Sequence, residues 1–195
     1  TYNKRYKIFD GIMGIIGKDF KYKKITNFLT KEEVLLLHNY CITSHILNTE
    51  SFDTVQNNNG DTYFYGDKVM ESLLLTKLNL MEKETGKKLL PTYAFWRMYT
   101  KFADLKKHTD RKACEISVTV NIGSSEKNSW PIFIEETSVE LSPGDGIIYL
   151  GCELEHWREP FNGDWAAQTF LHYVDKDGPN KDEYMDKRKC WGIQK

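Results

Sequence analysis

The sequence predicts an α+β fold, with helices first and a β-rich sandwich or jelly roll as the functional half. Three observations lead there. A capped helix begins at Thr30, a second apolar stripe of helical period follows, and beyond Pro91 the periodicity turns to strict alternation.

Thr30-Lys31-Glu32-Glu33 is a capping box: the Thr hydroxyl accepts an orphan N–H and Glu33 reaches back to the Thr30 amide. A helix should follow through Val34, Leu35, Leu37 and His38 towards Tyr40 and Ile42, with 25–29 as its apolar lead-in. Asn57-Asn58-Asn59-Gly60-Asp61 reads as a turn-forming loop. It is not a calcium loop, because Val55 stands where the first acidic ligand belongs and no Glu closes it. Residues 67–84 predict a second helix, striped by Val69, Met70, Leu73, Leu74, Leu78 and Met81 and ended by Gly86. Strands are expected over 93–99, 115–122, 132–136, 139–141, 146–150 and 166–174. Ser142-Pro143-Gly144-Asp145 has the Pro-Gly order of a type II turn. Residues 1–195 thus read as one domain, with 20–88 as mainly helical support and 89–176 as the β core.

The 27 Lys+Arg balance 28 Asp+Glu, so a global electrostatic hold on nucleic acid or on an anionic membrane is not expected. Cys41, Cys114, Cys152 and Cys190 are widely spaced and form no CxxC, which points to a reducing, cytoplasmic compartment rather than a disulfide framework. No apolar run is long enough to span a bilayer, and no signal peptide is read.

The chemistry centres on His108-Thr109-Asp110 and the distant His156. Residues i and i+2 of a strand share a face, so His108 and Asp110 can reach one ion, with His156 arriving from a separate strand. Two imidazoles and one carboxylate form a facial triad that leaves open positions on Fe(II). The strand context and the Pro143-Gly144-Asp145 turn before His156 strengthen a pattern that is weak on its own.

From about Leu89 to Tyr173 the chain resembles the Fe(II)/2-oxoglutarate-dependent dioxygenases, in their prolyl 4-hydroxylase-like branch. The matching stretches are Arg97-Met98-Tyr99, His108-Thr109-Asp110-Arg111, the segment from Leu141 through Pro143-Gly144-Asp145 to Tyr149, and His156 with Pro160 and Gly163 after it. The resemblance implies a double-stranded β-helix, a distorted jelly roll with N-terminal flanking helices. It also implies Fe(II) on His108, Asp110 and His156, with 2-oxoglutarate and O2 as co-substrates. The implied reaction is hydroxylation of a peptidyl proline or a related amino-acid or small-molecule substrate, releasing succinate and CO2. Tyr99 matches the family tyrosine that bonds the co-substrate. Thr119 and Asn121, on the polar face of their strand, are candidate co-substrate contacts, as is Gln168 on the last strand.

The chain departs from this pattern at one place. The family carries Lys or Arg nine or ten residues after the second His, to pair with the far carboxylate of 2-oxoglutarate. Those positions are Trp165 and Ala166 here. A buried dicarboxylate still needs a cation. Arg158, two residues after His156, is the first candidate because guanidinium pairs with carboxylate bidentately. Arg97 is the second. The family's usual Gly before the His-x-Asp loop is also replaced, by Phe102-Ala103-Asp104-Leu105.

Lys106, Lys107, Arg111 and Lys112 are either a steering patch or a solvated loop, and Tyr63-Phe64-Tyr65 is either a lid or core packing. Trp130, Trp157 and Trp165 are read as core rather than a substrate platform. Two other functions fit the same residues: a cupin-like zinc protein recruiting Cys152, and a non-catalytic barrel binding module.

Overall fold

The computed structural model describes residues 21–47, 60–127 and 130–192. Of the turn read at 57–61, residues 57–59 lie outside them. Strand β1 (Tyr22–Ile25) leads into helix α1 (Lys31–Leu47); β2 (Thr62–Tyr65), α2 (Lys68–Thr76) and α3 (Leu78–Thr85) follow. The remaining strands are β3 (Leu89–Thr100), β4 (Leu105–His108), β5 (Ile116–Ser124), β6 (Ile132–Ile134), β7 (Thr137–Val139), β8 (Gly146–Tyr149), β9 (His156–Arg158) and β10 (Trp165–Asp175). Short 3-10 turns cover Lys112–Cys114 and Lys181–Lys187. No helix among the described residues is long and apolar enough to cross a membrane.

The strands build two antiparallel sheets, ordered β1-β8-β5-β10-β3-β2 and β4-β9-β6-β7. Alternation sorts the large sheet's side chains. Ala94, Trp96 and Met98 of β3, Val118 and Val120 of β5, and Ala167 and Leu171 of β10 face the helices, where Leu37, Met70, Leu74 and Met81 cover them. Burying each of the larger apolar side chains contributes about 1.5–3 kcal/mol. Ile132, Ile134, Val139, Leu141, Ile147, Tyr149 and Leu154 fill one end of the space between the sheets. The other inner-face positions carry polar and aromatic groups, and these make the candidate site.

The capping box forms as read. The Glu33 amide donates to Thr30 Oγ1 at 3.2 Å, and the Thr30 amide donates to the Glu33 carboxylate at 2.8 Å. The stretch read as one helix splits at Lys77, whose ammonium reaches Glu33 at 2.6 Å and ties the break to α1. Asp67 caps α2 through the Val69 and Met70 amides, and Gly86 ends α3 in the left-handed conformation (φ 70°). Strand β3 begins four residues earlier than read and runs through Pro91. Proline donates no ladder bond, and the β10 pairing shifts register there, between His172 and Tyr173. The β6–β7 hairpin turns at Glu135 (φ 52°), so β6 ends two residues earlier than read and β7 lies two residues before the strand read at 139–141. Of the two readings of Tyr63-Phe64-Tyr65, core packing holds: the segment is edge strand β2, packed on Phe95, Trp96 and Tyr93 of β3.

The turn after Leu141 is type II, with Gly144 at φ 92° and the Asp145 amide donating to Ser142 O at 2.9 Å. Buried Asp145 then accepts from the Asn27 amide (3.0 Å) and the Ser142 amide (3.1 Å) and pairs with Lys24 (3.3 Å), joining the lead-in of α1 to the start of β8. Asp145→Ala should strand these donors and lower stability by about 2–3 kcal/mol. Urea unfolding followed by circular dichroism checks this, and an unchanged midpoint would contradict it.

Candidate functional site

Strand β4 pairs with β9 so that His108 and His156 are direct cross-strand partners, their ring centroids 4.3 Å apart. Asp110 lies just past the end of β4, its amide bonded to Gly151 O at 2.8 Å. Its Oδ1 is 3.5 Å from His108 Nε2 and 3.6 Å from His156 Nε2. One ligand atom from each of the three residues lies within 4.8 Å of the other two. Each imidazole has its other nitrogen engaged: His108 Nδ1 with Lys106 O at 2.7 Å, and His156 Nδ1 with Leu154 O at 3.0 Å. A carbonyl only accepts, so both Nδ1 atoms donate to it, and both Nε2 atoms are turned towards Asp110.

Burial by itself would raise the Asp110 carboxyl, but hydrogen bonds from His108 and His156 outweigh it and hold the group well below the usual carboxylate range. The same bond raises the His108 imidazole. Behind Asp110 stands a layer that the sequence reading did not single out. Ser117 Oγ reaches Asp110 Oδ2 at 3.4 Å and His172 Nδ1 at 2.8 Å. Burial pushes His172 down to about 4, so it stays neutral. Gly151 is required by close approach: a Cβ there would sit 2.4 Å from both Asp110 Oδ2 and Cys114 O. The signals were present, since His172 shares a face with Gln168 and Phe170, and Gly151 directly follows an apolar strand.

The triad opens onto a cavity of about 180 Å³ walled by Tyr93, Phe95, Arg97, Tyr99, Tyr149 and Phe170. Arg97 is committed to buried Asp61, at 2.5 Å from Nη2 and 2.7 Å from Nε. Its guanidinium also covers Tyr99, which is fully enclosed. Arg158 differs. It is buried, and among the described residues no carboxylate pairs with it. One amino group donates to Trp130 O and the other to Gln168 Oε1 at 3.2 Å, while Nε has no partner. Burial pushes the guanidinium down to about 10, against the pull of the Tyr99 and Tyr149 phenols. Gln168 passes the network on to Asn121 Oδ1 (3.0 Å), and Asn121 donates to Leu141 O (2.6 Å). Thr119 bonds the Tyr149 hydroxyl at 3.2 Å.

Trp165 faces away from the cavity, edge-on to His38, and Ala166 is buried beside Asn121 and Gln168. Cys152 is not with the triad: its thiol donates to Arg111 O at 3.2 Å, which corrects the zinc set that used it. The cysteine near Asp110 is Cys114, bonded to the Tyr93 hydroxyl at 3.1 Å. The basic run is largely neutralised, with Lys106 on Asp104, Lys107 on Glu155 and Arg111 on Asp186, so it forms no steering patch. The three tryptophans form no common platform, since Trp157 stacks on Phe133 and Trp130 lies against Tyr99 and Phe161. Phe102 adopts the left-handed conformation (φ 69°) with its ring exposed, so the turn forms there without glycine.

Gly151→Ala should force Asp110 from its place facing the imidazoles and weaken divalent-metal binding about tenfold or more. Titration with Co(II) reads the change, and wild-type affinity would contradict the close-approach argument.

No protein-family model and no curated protein matches the chain. Solved structures do. The 2-oxoglutarate complex of the viral collagen prolyl hydroxylase from Paramecium Bursaria Chlorella virus-1 matches with TM-score 0.59 at 15% identity, covering 80% of this chain and 96% of that one. A Pseudomonas putida prolyl-4-hydroxylase gives 0.61 at 16% identity, over 78% and 91%. The non-heme alpha ketoglutarate dependent carbocyclase SnoK from nogalamycin biosynthesis gives 0.64 at 13% identity, over 80% of both chains. The chain has the double-stranded β-helix fold of these Fe(II)/2-oxoglutarate oxygenases.

Proposed function

We propose that the protein is a non-haem Fe(II)/2-oxoglutarate-dependent oxygenase that hydroxylates a peptidyl proline or a related amino-acid or small-molecule substrate. The observation that carries this reading is the convergence of His108, Asp110 and His156, with both Nε2 atoms presented by their backbone-bonded Nδ1 partners. Two imidazoles and a carboxylate on one side suit Fe(II) and leave positions for a chelating acid and O2. Bound there, iron and 2-oxoglutarate supply O2 activation, with one oxygen atom leaving in succinate, CO2 released and the other atom entering a substrate C–H bond.

The residues divide the remaining work. Arg158 is a buried cation without a carboxylate partner, and its Nε is an unused donor, which fits the far carboxylate of the co-substrate. Gln168, itself held by Asn121, orients the guanidinium. Tyr99 and Tyr149 wall the cavity, Thr119 bonds the Tyr149 hydroxyl, and Arg97 braces Tyr99 while remaining paired with Asp61. Tyr93, Phe95 and Phe170 supply apolar walls that suit a proline ring or a carbon framework of similar size and keep water from the reacting bond. Matches to a prolyl hydroxylase and a carbocyclase on one fold leave the substrate to be found by assay, and a succinate-release screen against peptides and free amino acids is the direct search.

Anaerobic Fe(II) with 2-oxoglutarate should give a visible charge-transfer band that His108→Ala abolishes, and a wild-type protein without that band would overturn the reading. Arg158→Ala should weaken 2-oxoglutarate binding about 30-fold or more while Fe(II) binding holds. Unchanged 2-oxoglutarate affinity would remove Arg158 from the anchor role.

A further inference from the structure

None of the described residues after β10 joins the metal-binding group, yet this segment grips the loop that carries Asp110. Asp186 is completely buried and binds Arg111 through both carboxylate oxygens, Nη1–Oδ1 at 2.5 Å and Nη2–Oδ2 at 2.8 Å. Arg111 directly follows Asp110. Asp186 also accepts from the Tyr65 hydroxyl. The geometry is costly to hold, since Met185, Asp186 and Lys187 are three consecutive non-glycine residues in the left-handed conformation, at φ 53°, 53° and 59°. Arg188 fixes the segment from its other side. It donates to Met185 O at 3.0 Å, reaches the buried carboxylate of Glu71, and lies over the Tyr65 and Trp191 rings. The amide of Gly192 also donates to Glu71.

These contacts run into the site. The Arg111 guanidinium covers the Tyr93 ring at 4.5 Å, Tyr65 packs on Tyr93 at 4.9 Å, and Tyr93 packs on His172 at 4.5 Å. His172 bonds Ser117, whose hydroxyl is shared between Cys114 O at 3.1 Å and Asp110 Oδ2 at 3.4 Å. Asp110 is therefore restrained twice from the same segment, through the backbone at Arg111 and through the Tyr93–His172–Ser117 stack. Strained backbone retained where a fully buried carboxylate makes a bidentate pair with the half-exposed Arg111 indicates that the surrounding structure needs the carboxylate at that point.

We propose that Asp186 is a positioning residue for the metal carboxylate: the strap at 181–192 sets the place of Asp110, and with it metal affinity, from outside the ligand set. The proposal rests on reading His108, Asp110 and His156 as a metal site. Its test is titration of the purified full chain with Co(II), read by visible absorption, for wild type, Asp186→Asn, Arg111→Lys and the double variant. Lysine keeps the charge at 111 but loses the fork.

Asp186→Asn should weaken Co(II) binding about tenfold or more and shift the absorption bands of the saturated protein, which a loss of stability alone would not do. The double variant should be no weaker than the worse single variant, because both act through one pair. Binding by Asp186→Asn within about twofold of wild type would overturn the proposal. Additive losses in the double variant would also overturn it, because Asp186 would then act independently of Arg111. If Asp186→Asn does not fold, Arg111→Lys carries the test with the same tenfold and twofold outcomes. Absence of Co(II) binding by wild type would overturn the metal-site reading itself, a result distinct from all of these.

Discussion

The short pairing of β4 with β9 is the constraint on which the rest depends. It is only a few residues long, yet it sets His108 opposite His156 and ends where Asp110 must turn inward. A carboxylate so placed loses hydration and needs donors around it. The imidazoles supply two, Ser117 supplies a third, and Gly151 leaves the space. The large sheet gives this cluster its floor: the outward faces of β3, β5 and β10 are spent on the helix-covered core, which frees their inner faces for Tyr93, Tyr99, Thr119, Gln168 and His172.

The second organising feature is a cation carried on a different strand from the one the resemblance predicts. Ala166 and Trp165 stand at those positions of β10, and the proposed replacement, Arg158, lies on β9, two residues from His156. A guanidinium enclosed without a carboxylate is unfavourable in an isolated fold. Here Gln168 and the Trp130 carbonyl meet part of the demand and leave one donor unmet. That cost is intelligible if an anion completes the set, and it gives ligand binding a direct energetic return.

Much of this was legible in the residues, and the exceptions are physical. Local rules gave the capping box, the type II turn and the Gly86 stop, because each depends on atoms a few residues apart. Alternation located the long strands and put Gln168, Asn121 and Thr119 on one face. Strands β2, β4 and β9 were less visible, since four residues or fewer cannot show a period and their pairing is wholly non-local. For the same reason Cys152 looked close to His156 in sequence but points elsewhere, whereas Cys114, four residues after Asp110, and His172, from the distant β10, both meet Asp110. The role of Asp186 had no sequence signal, because three left-handed residues without glycine are dictated by tertiary contacts alone.

In the proposed site a metal sits on His108, Asp110 and His156 at the mouth of the cavity, and the acid it chelates reaches Arg158. An anaerobic crystal structure with Mn(II) and 2-oxoglutarate tests it most directly. The expected result is manganese on His108 Nε2, His156 Nε2 and the Asp110 carboxylate, with the far carboxylate of the acid on the Arg158 guanidinium. Manganese bound at other residues, or an acid whose far carboxylate lies away from Arg158, would contradict it.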